Sequence, residues 1–324
     1  LHPLQAYDTI LGSETDKSIS TFTKEESDMT SNGSVATRPY IMDKNMGKAV
    51  DLDKVELPTT NADGKPVIDL TAEQKYLFDL RGWLLIPGVL SESEVAEMRD
   101  FAVRLHQDPQ SIPEVERNAL GGPLQKLADH PLVVGFMNEF VAYPGLSNQD
   151  CYGFRQESCH LFHRTLGQGK FGPHNGSGML RFPGDSHTYH CIPGKANAGL
   201  VRVVWELNPV IKGTGGTLLV SGTHKGVYAA PDSINDPDSG IWETYGCPPG
   251  SLLFFTEALT HSATAWTNAQ NDRVAIFSCY NTVNSKWHHW NPSSEQMATM
   301  PSKRRTLYRP VHAQDNLING VYHG

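Results

Sequence analysis

The feature that most restricts how this chain can fold is a change of texture near Cys151. Before it, apolar residues recur at helical spacing behind helix-start signals. After it, short β-branched or aromatic runs alternate with clusters of Gly, Pro, Asn and Asp. The first pattern buries one stripe of a helix, and the second suits short strands joined by turns. Helices first and strands afterwards specify an α+β domain, in which helices pack against a β core. Order is expected to begin near Val67. Thr71 with Gln74 and Ser91 with Glu94 form capping boxes. The first opens a helix with Leu77 and Leu80 on its apolar face, ended by Gly82. The second opens a helix burying Val95, Met98, Phe101, Ala102 and Leu105. Trp83-Leu84-Leu85-Ile86 reads as a buried strand between them, and a third helix is expected over about 131–141. Strands are expected at Leu200–Leu207, Thr217–Val220, Ser251–Phe255 and Arg273–Tyr280.

Composition removes several function classes. A formal charge of −8 over 324 residues argues against a nucleic-acid or anionic-membrane partner, which needs concentrated Lys and Arg. No apolar run reaches the length of a membrane span, and the residues that follow Leu1 do not show the charged-then-apolar pattern expected of a secretory signal. The five cysteines, Cys151, Cys159, Cys191, Cys247 and Cys279, include no C-x-x-C pair. They read as reduced structural thiols, with a cytoplasmic location expected.

Three segments carry chemistry-bearing residues. The first is Phe171-Gly172-Pro173-His174-Asn175-Gly176. The second is Val203-Val204-Trp205-Glu206-Leu207, followed by Gly213 to Gly216 and Ser221-Gly222-Thr223-His224-Lys225. The third runs from Pro249-Gly250-Ser251 through Phe254-Phe255 and Glu257 to His261, with Arg273 twelve positions beyond His261. Together they resemble the phytanoyl-CoA dioxygenase family over roughly residues 67–312. The second segment is similar to that family's aromatic strand, Gly-Gly turn and P-G-S-H-K stretch. The third is similar to its G-D-x-x-x-F…H…R end, with Ser251 where Asp is usual.

The resemblance implies a double-stranded β-helix (jelly-roll, cupin-like) core with N-terminal supporting helices. It also implies an oxygenase using iron(II), 2-oxoglutarate and O2. Oxygen activation at iron(II) needs a facial set of protein ligands with open positions for cosubstrate and O2. In that frame His261 is the late metal ligand and His174 the early one. Arg273 is the cation for the far carboxylate of 2-oxoglutarate, which a guanidinium fork can grip through two hydrogen bonds. A turn over Thr264–Asn268 would return Arg273 on the neighbouring strand. Trp205 could wall the cosubstrate site, and Gln156 and Arg164 could touch cosubstrate or substrate.

The early motif departs from the family pattern. His-x-Asp is usual, whereas His174-Asn175-Gly176 keeps the imidazole and lacks the carboxylate. Glu257 could substitute, provided that the chain turns before His261, because four residues of straight strand span roughly 13 Å. Asp185 is a second acid candidate. His187 and His190 compete with His174, and the 18-residue gap from His187 to Trp205 is closer to the family's ordinary spacing than the 31 residues from His174. An exogenous chloride at the vacated position would make the chain a halogenase. His224 is expected to shape its turn, and His288 and His289 to line a pocket or lie in a solvated loop.

The leading expectation is therefore oxidation of an unactivated C–H bond in a small molecule, by hydroxylation or a related reaction. The alternatives are the halogenase and a non-catalytic cupin-like binding protein. Arg273 favours an enzyme, since a pure binding module needs no 2-oxoglutarate anchor. Residues 41–324 are read as one oxygenase domain. Residues 1–40, polar and aperiodic, are read as a flexible arm, of the kind that can also pack on a second subunit in a homo-oligomer. A chain beginning near Arg38 is expected to keep its thermal midpoint; a drop of many degrees in a melting experiment would overturn that reading.

Overall fold

A computed structural model describes residues 54–311, with 317–318 and 321–322. All belong to one of the two units into which the chain divides, Thr37–Gly324. The expected arm lies outside the described residues. Both capping boxes form. Thr71 opens α1 (Ala72–Arg81) and Ser91 opens α2 (Glu92–Gln107), each with reciprocal side-chain and backbone hydrogen bonds. Gly82 ends α1 at φ +81°, a left-handed conformation that costs glycine little. The third helix, α3, spans Pro131–Phe140.

The apolar face of α1 differs from the expected one. Leu80 is 52% exposed and Phe78 fully buried. Phe78 meets Phe136 and Phe140 of α3 at ring-centroid distances of 4.7 and 4.6 Å. The helix turns its aromatic residue inward because that side chain offers more apolar area to bury.

Among the described residues, the strands that build the rest of the framework are β1 (Trp83–Ile86), β2 (Phe154–Arg164), β3 (Tyr189–Ile192), β4 (Lys195–Ala198), β5 (Leu200–Glu206), β6 (Gly216–Leu219), β7 (Ser251–Thr256), β8 (His261–Thr264) and β9 (Arg273–Thr282). Five of them make one antiparallel sheet in the order β1-β7-β5-β9-β2. A second antiparallel pair joins β6 to β8, and His174 and Glu243 add single bridges at His261 and Leu219.

Alternation gives the five-stranded sheet two different faces. One face carries Val201, Val203, Trp205, Leu252, Phe254, Val274 and Ile276 into a core shared with the helices, where Phe136 stacks on Phe254 at 4.0 Å. The opposite, inner face carries Val204, Leu253, Phe255 and Ala275 against Leu219, Tyr245, Leu259 and Trp266. Both faces are covered, so the strands read as nearly continuous apolar runs. Charged residues on the inner face are therefore conspicuous: Arg202 and Glu206 on β5, Arg273 on β9 and Arg164 on β2.

The expected return of Arg273 on the strand beside His261 does not occur. β8 pairs with β6, whereas β9 lies between β5 and β2 in the other layer. The connecting segment is held instead by Trp266 Nε1 donating to Asn271 O at 2.7 Å. Truncating Phe78 to Ala should cost about 3–5 kcal/mol of unfolding free energy, whereas Leu80→Ala should stay within about 0.5 kcal/mol. Urea denaturation of the two variants checks the orientation of α1.

Candidate metal centre

Three side chains from separate segments converge on the inner side of the fold. His174, Glu257 and His261 each offer a ligand atom, and those atoms all lie within 4.8 Å of one another. The chain turns between β7 and β8 at residues 257–260, which removes the separation that a straight strand would impose. The antiparallel bridge between His174 and His261 sets their ring centroids 4.2 Å apart.

The two histidines are held alike. His174 Nδ1 lies 2.8 Å from Gly172 O, and His261 Nδ1 lies 2.8 Å from Leu259 O. A carbonyl oxygen only accepts, so Nδ1 carries the proton in both rings and Nε2 presents its lone pair. Such backbone anchoring of the far ring nitrogen is how metal-binding imidazoles are usually oriented. Burial lowers the His261 pKa to about 4 against the opposing pull of Glu257, so the ring is neutral and competent as a ligand.

Glu257 is 3% exposed. Burial alone would raise its pKa, but Arg202 and His261 outweigh that and bring it to about 2. Arg202 Nε donates to Oε1, and Asn175 Nδ2 donates to Oε2 at 3.0 Å. His261 Nε2 stands 3.6 Å from Oε2. Two imidazole nitrogens and an ionised carboxylate suit a divalent first-row metal such as iron(II), and the donor set fits that ion.

Gly176 explains why the acid comes from elsewhere. Asn175, Gly176 and Ser177 have φ of +67°, +113° and +55°, and a Cβ on Gly176 would sit 2.6 Å from Thr260 Oγ1. A side chain there would have to displace the Thr260 hydroxyl and adopt a backbone conformation that favours glycine. The other candidates fall outside the cluster. Asp185 turns back to His187, accepting from its backbone N–H at 2.7 Å, and lies 3.5 Å from Arg181 Nη1. His187 packs edge-on against Trp287 at 4.6 Å, and His190 is exposed on β3. His224 is buried, 3.0 Å from Asp79 O, and ties the turn after β6 to α1.

Trp205 and Gln156 lie on the helix-facing side of the sheet, away from the cluster. Trp205 meets His130 edge-on at 5.0 Å. Gln156 donates to Ser278 Oγ at 2.8 Å and accepts from the Tyr308 hydroxyl at 2.6 Å. Alternation along β5 decides this for Trp205, and a register shift between Gln156 and Ser158 puts Gln156 on the helix-facing side although Arg164, of the same parity on β2, faces inward.

Arg273 does lie on the inner face, but its guanidinium already meets a carboxylate of the chain. Nε is 3.2 Å from both Glu206 oxygens, and Nη2 donates to Glu206 Oε1, to Tyr245 Oη at 3.0 Å and to Thr217 Oγ1 at 3.2 Å. Tyr245 in turn donates to Glu206 Oε1 at 2.7 Å. Arg202, Glu206 and Tyr245 are site residues that the sequence reading missed. Two charges in an otherwise apolar strand, Val201 to Leu207, were the available signal for the first two.

A second group, Glu157, Cys279 and His288, also brings ligand atoms within 4.8 Å. Burial pushes the Cys279 thiol well above its usual range. Glu157 is already engaged by Trp287 N–H, His288 Nδ1 and Asn281 Nδ2 at 3.1, 2.9 and 3.2 Å. A protonated thiol and a satisfied carboxylate make a poor metal site.

Comparison with known proteins shows the family of the chain. The model of the family described as phytanoyl-CoA dioxygenase (PhyH) matches residues 78–275, more than half of the chain. No curated relative matches. Among solved structures the fold is similar to HygX from Streptomyces hygroscopicus with iron bound, at a TM-score of 0.53 and 23% identity, covering 69% of this chain and 90% of that one. HygX with nickel, 2-oxoglutarate and hygromycin B bound gives 0.54 and 23% over 68% and 90%. The chain belongs to the phytanoyl-CoA dioxygenase (PhyH) family, and so to the non-haem iron(II), 2-oxoglutarate-dependent oxygenases.

Proposed function

We propose that His174, Glu257 and His261 hold the iron(II) of a double-stranded β-helix oxygenase that oxidises an unactivated C–H bond of a small molecule. The observation that carries this reading is the meeting of two Nδ1-anchored imidazoles with a buried, ionised carboxylate. With 2-oxoglutarate and O2, bound iron(II) supplies the oxidising power.

The chain's own residues do the positioning. Arg202 keeps Glu257 ionised and fixes one oxygen, and Asn175 holds the other. Gly172 O and Leu259 O set the tautomers of the two rings. Phe255, whose ring lies 4.8 Å from His261, and Leu253, Val204 and Phe277 wall the inner side with apolar surface, which limits water around reacting groups. His174 is the exposed member of the triad, so substrate is expected to approach from its side. A small-molecule substrate is in keeping with HygX, whose structure includes hygromycin B.

Glu257 fills the role of the carboxylate absent at Gly176, so this reading favours hydroxylation or a related oxidation over halogenation. Anaerobic titration of the iron(II) protein with 2-oxoglutarate should develop a metal-to-ligand charge-transfer band that is independent of chloride. Glu257→Ala should weaken iron binding beyond the 10- to 100-fold loss that is roughly typical of removing a supporting partner, and Arg202→Met should fall within about that range. Chlorinated product, or full iron affinity in Glu257→Ala, would reject the assignment.

A further inference from the structure

At the end of the sheet remote from Arg273, the inner face carries another arginine. Cys279 of β9 pairs with Arg202, and two residues further on Asn281 pairs with Leu200 on β5 and with Arg155 on β2. Paired residues of an antiparallel sheet leave the same face, as do residues two apart on one strand. Arg155 therefore points to the same side as Arg202, although Gln156 beside it does not. The eight residues of β9 from Arg273 to Asn281 span roughly 26 Å, whereas Asn281 is only roughly 7 Å beyond the level of Arg202. A ligand at Arg155 is thus close to the candidate metal centre and distinct from one at Arg273.

Arg155 is 1% exposed, and its Nε and Nη1 are buried without a hydrogen-bond partner among the described residues. The acid whose charge acts on it, Glu157, gives its oxygens to Trp287 N–H, His288 Nδ1 and Asn281 Nδ2 instead. A second buried arginine, Arg309, adds to the positive charge felt by Arg155. It donates to Cys151 Sγ and to the carbonyl oxygens of Leu146 and Tyr152, none of them a carboxylate. Two buried guanidinium groups against one carboxylate leave a positive charge uncompensated. Unmade hydrogen bonds on a buried charged group are costly, and a carboxylate removes both deficits, because a guanidinium binds it through short charge-assisted bonds.

The surroundings connect this arginine with the metal side. Asn281 Nδ2 donates to Ser186 Oγ at 3.5 Å. His187, the next residue, meets the 59% exposed Trp287 edge-on at 4.6 Å, and its charge reaches Glu257. We infer that Arg155 receives a carboxylate of the primary substrate, which is therefore a small organic acid oxidised at a carbon several bonds from its acid group. This rests on the oxygenase reading above. With the acid group held two residues' rise beyond Arg202, the rest of the substrate is directed across the metal ligands, and a neutral analogue lacks that anchor.

The test uses hexanoate and hexanamide, which are alike in shape and differ in charge. Each is titrated anaerobically into the full-length protein loaded with iron(II) and saturated with 2-oxoglutarate. The heat of binding reports affinity, and the charge-transfer band reports the cosubstrate. Hexanoate should bind about 30-fold or more tightly than hexanamide and leave the band in place. Arg155→Met and Arg155→Gln should lose that preference with the band intact, and Arg155→Lys should keep part of it. Equal affinities, no binding of hexanoate, or loss of 2-oxoglutarate to hexanoate would each overturn the substrate assignment in the unmodified protein, whether or not the variants fold. So would an unchanged preference in both neutral variants. All of these leave the iron site standing, whereas absence of the band in the unmodified protein would overturn the oxygenase reading itself.

Discussion

The ion pair between Arg202 and Glu257 is the interaction on which the rest of the site depends. A carboxylate 3% exposed would ordinarily take up a proton, because desolvation of a lone buried charge is expensive. Arg202 reverses that outcome and keeps Glu257 an anion. Breaking a buried pair by removing one partner costs about 3–5 kcal/mol, because the other charge is left uncompensated. The pair is poor as a source of stability, since apolar residues of equal volume would do as well. Its value lies in delivering a charged ligand atom at a fixed place beside two imidazoles.

Arg202 can do this because β5 is the central strand of its sheet, paired with β7 on one side and β9 on the other. Its backbone is held from both sides, so inward-facing side chains inherit a rigid base. The helices contribute indirectly. Phe78, Phe136 and Phe254 lock the sheet's outer face to α1 and α3, while His224 and Lys225 tie the turn after β6 to Asp79 at 3.0 and 2.6 Å. That turn also holds Thr260, whose N–H donates to Thr223 Oγ1 at 2.8 Å, one residue before His261.

Much of this was legible in the sequence, for reasons that differ by element. The capping boxes at Thr71 and Ser91 are local hydrogen-bond patterns, so four residues sufficed to place each helix start. His261 stood out because its segment resembles a family motif and His174 because it keeps the imidazole of an altered one, and the fold brings the two together. Glu257 was open among several acids, since the decision lies in a four-residue turn and in the space denied at Gly176, neither of which a linear pattern shows. Trp205 and Gln156, expected beside the cosubstrate, lie on the helix-facing side, and the sequence could not show this because both faces of the sheet are buried. When both parities are apolar, alternation cannot say which one faces the site. Leu80 and Phe78 pose a different difficulty on α1: they lie two residues apart, on opposite sides of the helix, and both are apolar, so the residue types alone did not show which side is buried.

The partnership of Arg273 was hidden for a further reason: it needs a long-range register. Arg202 and Glu206 are four residues apart on β5 and therefore share its inner face. Arg202 takes the acid arriving from the end of β7, and Glu206 takes the base arriving at the start of β9. One strand thus fixes both the acid of the candidate metal centre and an arginine, with opposite charges matched at each end. The spacing between these two anchor points is the rise of four extended residues, roughly 13 Å. A cosubstrate that reached from the metal ligands toward the arginines would be measured against that length. Exchanging the charges of Arg202 and Glu206 would bring like charges together at both ends, a second carboxylate against Glu257 and a further cation against Arg273. The order of the charges along β5 therefore fixes an acid, Glu257, at one end of the strand and a base, Arg273, at the other.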